Sequence, residues 1–313
     1  MTSGLRVERF KMSDPTFDTS SPATGDAGLP KVSIYMPTRN RLGSMQAAVR
    51  SVLGQTYREI ELIVVDDGST DGTPAWLAEQ ARLDPRLVVH RHEEGRGACA
   101  ARNVGIRAAT GFFLTGLDDD DEFKPHHLAS LVSYWQLLTG AGDDPSALYV
   151  QDELRSGGPV AYTHKIGRAT AEMMLNANQV GNQLFAPRDR FLSAGLFDEA
   201  MPAWQDLEFF YRFLKMHGPA RLLDLPSYVF DVTPRPDRIS SKSKRKVMQA
   251  CELMYAKHGG DQRHTLQRLL LEQVFSDYYG FRPDLADLRR FIGLGWWPRG
   301  WWRMARRWRA GGA

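Results

Sequence analysis

The chain has 313 residues, 42% hydrophobic and 25% charged, the composition of an ordinary globular protein with length for one large domain or a domain plus a substantial appendage. With 40 Lys and Arg against 37 Asp and Glu, the net charge of +3 is too small to argue for nucleic acid. Cys99 and Cys251 are the only cysteines, so there is no disulfide framework and a reducing cytosol fits.

Residues 1–30 are rich in Ser, Thr, Asp, Gly and Pro and lack the apolar core of a signal peptide, so they read as a disordered leader. No uninterrupted apolar run approaches bilayer length, and the protein is expected to be soluble or peripheral.

Residues 32–36 (VSIYM) form a short strand candidate closed by Pro37, Thr38, Arg39 and Asn40. Met45, Ala48, Val49, Val52 and Leu53 then follow helical spacing, with Gly54 as the stop. Residues 60–65 (IELIVV) predict a strand covered on both faces. It ends in Asp66 and Asp67, after which Thr73 and Pro74 predict an N-cap and first helical position, with the helix running to about Ala81. A third strand candidate is 87–90 (LVVH). Alternating strands and helices predict a parallel α/β sheet.

Residues 111–123 read GFFLTGLDDDDEF: an apolar run reaches Leu117, then Asp118, Asp119, Asp120 and Asp121 follow with no basic residue between them. Carboxylates at the carboxyl end of a buried strand sit where open α/β sheets bind ligands. Hard cations such as Mg2+ or Mn2+ take oxygen ligands and commonly join one or two carboxylates to substrate phosphates. Thr38 to Asn40, Asp66 with Asp67, and the aspartate run would converge on one sheet edge. There a carboxylate can accept from a ribose or a base, and a metal-holding pair can grip a diphosphate.

Four blocks occur in order: PTRNR at 37–41, SVLGQTYREIELIVVDDGSTDGT at 51–73, GRGACAARNVGIRAATG at 95–111 and LDDDD at 117–121. Together they resemble the successive blocks of family 2 glycosyltransferases over roughly residues 31–211. The resemblance implies an inverting enzyme of the GT-A fold, an α/β, Rossmann-like, mainly parallel central sheet flanked by helices, using a nucleotide-diphosphate sugar. It implies that Pro37, Thr38 and Arg39 form the loop under the nucleotide. Asp67, with Asp66, matches the carboxylate that reads the base, and Arg102 and Asn103 lie near the donor. Asp118 and Asp120 match the DxD motif, Asp118 near the ribose or sugar and Asp120 on the cation, Mn2+ or Mg2+. Where the family usually has a small or apolar residue this chain has Asp119, which is grouped with the donor-binding residues and leaves open which carboxylate meets the metal. Arg96 reads as a surface charge.

Residues 128–138 are helix-like, and 147–151 and 183–186 predict further strands. GLFDEAMPAWQDLEFFYRF resembles the family block with an acidic general base at a helix start, which implies Asp206 as the base. A positioned carboxylate can take the acceptor hydroxyl's proton, and the metal stabilises the departing diphosphate. Glu208 is assigned a structural or solvated role.

Residues 233–240 predict a mobile loop before the basic run 242–246, in which Arg238 or Lys242 could meet phosphate; no histidine stands between His217 and His258, and no histidine ligand is assigned. Residues 248–275 read as helical. The tail from Phe291 has no acidic residue but has five Trp and five Arg within 296–309. Trp301, Met304, Ala305 and Trp308 share one helical face, with Arg303, Arg306, Arg307 and Arg309 largely elsewhere, the pattern of an interfacial membrane helix.

The expected organisation is a leader over 1–30, a GT-A domain over 31–232 split into nucleotide (31–121) and acceptor (122–232) halves, and a loop plus helical, basic C-terminal region over 233–313. The expected function is a metal-dependent inverting hexosyl- or rhamnosyltransferase on the cytoplasmic face of a membrane. It would use a UDP- or dTDP-linked sugar and a glycan or glycolipid acceptor, bind an anionic membrane through 291–313, and bind no nucleic acid. TGLDDDDEF with WQDLEF resembles bacterial lipopolysaccharide outer-core enzymes, including rhamnosyltransferases. An aspartate-based phosphatase is the first rival, but Gly68 stands where VVDDGST should carry its second aspartate. The second, a non-enzymatic membrane adaptor, is opposed by the intact Asp67, Asp118, Asp120 and Asp206.

Overall fold

The computed structural model describes residues 28–233, 243–259, 263–276, 279–295 and 297–309. The chain begins with β1 (Val32–Thr38), α1 (Leu42–Leu53), β2 (Ile60–Asp66), α2 (Thr73–Leu83), β3 (Leu87–Arg91), α3 (Ala98–Ala108) and β4 (Phe113–Gly116). It continues through β5 (Glu122–Phe123), α4 (His127–Gly140), β6 (Leu148–Arg155), β7 (Ala161–Tyr162), β8 (Arg168–Ala169) and α5 (Ala171–Met174). Next come β9 (Ala186–Pro187), α6 (Arg188–Ser193), α7 (Gln205–His217) and β10 (Ala220–Asp231). The helices α8 (Lys244–His258), α9 (Arg263–Val274), α10 (Leu285–Gly293) and α11 (Pro298–Arg309) follow.

The main sheet has the order β3-β2-β1-β4-β9, parallel from β3 to β4, with β9 antiparallel at the edge. A smaller mixed sheet has the order β5-β10-β6-β7, with β8 also on β10. Thr38 pairs in register with Asp66, and the Leu117 amide donates to the Tyr35 carbonyl at 3.0 Å, so three polar strand ends lie along one edge. Ile34, Met36, Leu62 and Val64 pack on one side with residues of α1 and α4; Tyr35, Ile63 and Val65 face a second core shared with α3, α6 and α7. Burial on both faces explains why IELIVV is a continuous rather than an alternating apolar run.

Several expectations change. Gly72, not Thr73, stands at the N-cap of α2, and Asp71 Oδ1 accepts from the Thr73 amide at 2.9 Å. The strand expected over 183–186 reduces to a Phe185–Leu148 bridge and β9; Pro187 has no amide hydrogen with which to extend a ladder. The helix expected over 248–275 is two, and α8 closes at Gly259, whose amide donates to the Tyr255 carbonyl at 2.9 Å. β10 has no counterpart in the sequence reading. Asp224 and Pro226 break its alternation, and the strand absorbs them as register shifts against β6 on both sides of Pro226.

Glu61 fixes the amino-terminal edge of the main sheet. Its carboxylate accepts from Lys31 Nζ at 2.8 Å, Ser33 Oγ at 2.5 Å and the Thr110 amide at 2.6 Å, tying β2 to the start of β1 and to the approach to β4. Burial raises its pKa, but these hydrogen bonds outweigh burial and hold it at about 2 against an ordinary 4.5. A depressed folded value means that the stabilisation is complete above pH 4.5 and is lost as pH falls towards 2. Glu61→Gln is therefore expected to lower Tm at neutral pH and to flatten the acid-side decline; equal Tm-versus-pH slopes between about pH 5 and 3 would remove Glu61 as its source.

Candidate active site

The loop after β1 is built for close approach. Asn40 has φ 53, and its side-chain oxygen accepts from the Thr70 amide at 2.7 Å, joining this loop to the turn after β2. The Arg39 guanidinium lies over Gly95, where any β-carbon would collide with it. Pro37 pairs in register with Val65, inside β1.

Asp66 and Asp67 are both buried. Asp66 accepts from the Ser69 amide at 2.9 Å and from Arg91 Nη1 at 2.6 Å, which makes it the organiser of the turn. Asp67 accepts from the Arg96 and Gly97 amides, each at 2.8 Å, and its Oδ1 lies 2.7 Å from His92 Nδ1. Burial opposes ionisation of Asp67, but the His92 and amide hydrogen bonds hold its pKa below the ordinary value. A carboxylate offers about four lone-pair positions, so little acceptor capacity is left for a base.

The aspartate run divides by direction. Asp119 and Asp121 are buried. Asp119 accepts from Thr38 Oγ1 at 2.7 Å and from Arg41 Nη1 at 3.2 Å; burial, opposed by Arg41 and Thr38, raises its pKa to about 6. Asp121 accepts from the Tyr228 hydroxyl at 2.6 Å, the Asp231 amide at 2.9 Å and Asn182 Nδ2 at 3.3 Å. Burial first, then Asp118 and Asp120, push its pKa well above the carboxylate range. Asp118 accepts from Arg102 Nη2 at 2.8 Å, and Asp120 from Arg41 Nη1 at 3.0 Å. These two are the positions of the DxD pattern.

Arg102, on α3, is buried with its guanidinium 5.3 Å from the centre of the Phe197 ring. Besides Asp118 it reaches Gln205 Oε1 at 3.4 Å and Asp206 Oδ1 at 3.9 Å. Burial opposes its charge, but Asp118 and Asp206 hold its pKa well above the ordinary value. Asp206 lies in the first turn of α7. Its Oδ1 is buried without a hydrogen-bond partner, although the side chain as a whole is 33% exposed. Burial raises the Asp206 pKa to about 6, with Arg102 opposing and Asp118 adding. Trp204, which caps α7 from φ 58 and ψ 28, occupies the left-handed region, a conformation costing roughly 1–2 kcal/mol for a residue with a β-carbon.

The structure thus gathers Thr38, Arg102, Asp118, Asp119, Asp120 and Asp206 around one edge. Asn103 is spent elsewhere: its amide donates to the Phe197 carbonyl at 2.9 Å and accepts from the Phe197 amide at 2.9 Å, pinning the corner before α7. Glu208 is buried against Arg212 at 2.7 Å and His258 at 3.1 Å, a structural position. Arg238 and Lys242 lie outside the described residues. Arg41 and the Asp121 anchors Tyr228, Asp231 and Asn182 had no assigned role in the sequence. Arg41 stood inside the PTRNR block; Tyr228 and Asp231 had no signal, because β10 itself was not foreseen.

Residues 33–172 match the model of glycosyl transferase family 2. The putative colanic acid biosynthesis glycosyl transferase WcaA of Escherichia coli is 32% identical over 217 residues, covering 69% of this chain and 77% of that protein. Among solved structures, Staphylococcus aureus TarS 1–349 in complex with UDP-GlcNAc has a TM-score of 0.63 at 18% identity, covering 84% of this chain and 79% of that one. The mannosyltransferase PcManGT of Pyrobaculum calidifontis, in complex with GDP-Man and Mn2+, has a TM-score of 0.53 at 19% identity, covering 90% and 85%. The structural likeness gives the GT-A fold, and the sequence match gives the rest: the chain belongs to glycosyltransferase family 2.

Proposed function

We propose that this glycosyltransferase moves a hexose or rhamnose, with inversion, from a UDP- or dTDP-linked donor to a hydroxyl of a glycan or glycolipid, with Asp206 as the general base. The observation that supports it is the Arg102 guanidinium shared between Asp118 and Asp206. It sets the carboxylate matched to the donor and the carboxylate matched to the acceptor on either side of one guanidinium. A pKa of about 6 brings Asp206 nearer to neutral operating pH than an ordinary carboxylate, which favours it as a proton acceptor. Its buried oxygen faces Arg102, leaving the exposed part of the carboxyl group for an acceptor hydroxyl. One base and direct displacement at the anomeric carbon require no covalent intermediate.

The residues present fit a divalent cation. Among the described residues no three form a protein-only metal cage, but Mg2+ and Mn2+ commonly take one or two carboxylates with substrate phosphates. Asp118 and Asp120 have the guanidiniums of Arg102 and Arg41 as partners; a metal ion could take a cation's place beside these carboxylates, while a diphosphate would pair with the guanidiniums. Asp120 would hold the ion, with Asp118 beside the ribose or sugar; when bound, the ion would stabilise the departing diphosphate as a Lewis acid. The Mn2+ complex of the Pyrobaculum mannosyltransferase supports this, as the UDP-GlcNAc complex of TarS supports a UDP-linked donor. For the acceptor, the TGLDDDDEF and WQDLEF stretches support the lipopolysaccharide outer core, and the E. coli relative, named for colanic acid biosynthesis, supports a glycan more broadly.

The C-terminal helices supply the proposed membrane contact, at the cytoplasmic face. No helix among the described residues is long and apolar enough to cross a bilayer. Met304 is buried and Trp301 packs partly against the core, so the aromatic face read from the helical wheel is turned partly inward. The outward face instead carries Arg299, Trp302, Arg306 and Arg309, with Arg306 5.3 Å from the centre of the Trp302 ring. Exposed Leu285 and Ile292 lie on the neighbouring α10. Each such Arg contributes about 1 kcal/mol near an anionic leaflet.

Asp206→Asn is expected to reduce kcat by about 100- to 10,000-fold while donor affinity, read by calorimetry, persists; a substantial residual rate would point to another base. In the unsubstituted enzyme kcat should rise with pH through about 6, because the base acts when deprotonated. Asp120→Asn should weaken donor binding in Mn2+ but not in EDTA, and unchanged Mn2+-dependent affinity would take Asp120 out of the metal site. Trp302→Ser combined with Arg306→Glu should abolish co-sedimentation with anionic liposomes at unchanged Tm. Those surface changes test the contact better than truncation, which would remove the buried Met304.

A further inference from the structure

Trp204 is the N-cap of the helix that carries Asp206, and its side chain makes no capping hydrogen bond to that helix. A non-glycine residue in the left-handed region persists only where its surroundings hold it. One restraint is the start of α7 itself, where the Glu208 amide donates to the Trp204 carbonyl at 2.8 Å. Another comes from far along the chain: the Trp204 indole Nε1 donates to the Tyr279 hydroxyl at 2.7 Å. Trp204 is 9% exposed, and an indole N–H is a donor with no alternative role, so that hydroxyl satisfies a group which burial would otherwise penalise.

Tyr279 is itself braced. Its ring stacks on Phe281 at 5.4 Å between centroids, and both rings pack on the core that contains Trp204, Leu207 and Phe210. On the other side of the turn, Gln205 and Asp206 both reach Arg102. Any drift of the Trp204 backbone therefore turns Gln205 and Asp206 relative to a guanidinium fixed on a different helix.

We propose that Tyr279 is a positioning residue for the base, holding Trp204 and hence the first turn of α7 so that Asp206 faces the acceptor. The proposal rests on the reading of Asp206 as the base. It extends the support of the base to Tyr279, which lies between α9 and α10.

The test is Tyr279→Phe in the full chain, which removes one oxygen and keeps the ring. A fall in kcat of about tenfold is expected with donor KM unchanged, beside the modest Tm decrease that a buried donor left unpaired brings. Trp204→Phe deletes the same bond, so the double variant should cost no more in kcat than Trp204→Phe alone. In the Asp206→Asn background Tyr279→Phe should cost nothing further, because no base remains to be positioned. A wild-type kcat for Tyr279→Phe, strictly additive losses, or a loss confined to donor KM or Tm would overturn the proposal. The underlying reading fails separately, if Asp206→Asn alone keeps its rate.

Discussion

The active edge depends on one buried cation. A guanidinium removed from water is costly unless carboxylates and hydrogen bonds compensate it. Arg102 finds Asp118 at 2.8 Å, Asp206 at 3.9 Å and the Phe197 ring beneath it. These partners come from the end of β4, the start of α7 and the corner before it, elements that share no backbone hydrogen-bond ladder. Compensation is incomplete, since Arg102 Nε and Asp206 Oδ1 are both buried without hydrogen-bond partners. A site with unspent polar capacity on both members of an ion pair is suited to a ligand that changes how the charges are shared.

The same logic explains how four consecutive aspartates coexist. They divide among separate parts of the fold: Asp118 turns to α3, Asp119 and Asp120 to the end of β1 and the loop after it, and Asp121 to β10 and Asn182. Burial pushes the two inward members, Asp119 and Asp121, towards the neutral form. Asp119 clamps Thr38 and Arg41 to the strand end.

The main sheet was legible in the sequence because its strands are buried on both faces, and burial writes itself into continuous apolar runs such as IELIVV. The polar strand ends were legible because short motifs encode them, and Asp118 and Asp206 meet at Arg102. What a linear reading does not carry is direction. Asn103 and Arg102 are adjacent letters, yet a helix turns them about 100° apart, and Asn103 spends its amide on Phe197. β10 escaped because Asp224 and Pro226 interrupt its period, and the anchors of Asp121 escaped with it. The Trp204–Tyr279 bond spans 75 positions and leaves no local pattern.

Distance along the chain also misrepresents the C-terminal helices. Phe275, Phe291 and Met304 belong to the same core as Leu207, Phe209 and Phe210 of α7. Arg303 pairs with Glu272 at 2.7 Å, and the buried Gly300 packs where a β-carbon would meet Phe291 and Trp297. The tryptophans of α11 are accordingly divided, Trp301 partly inward and Trp302 outward at 63% exposure. Packed cores shift between discrete arrangements rather than deforming continuously. The C-terminal helices and α7, which carries Asp206, thus form one packed unit, so a shift of one is felt by the other through the side chains between them.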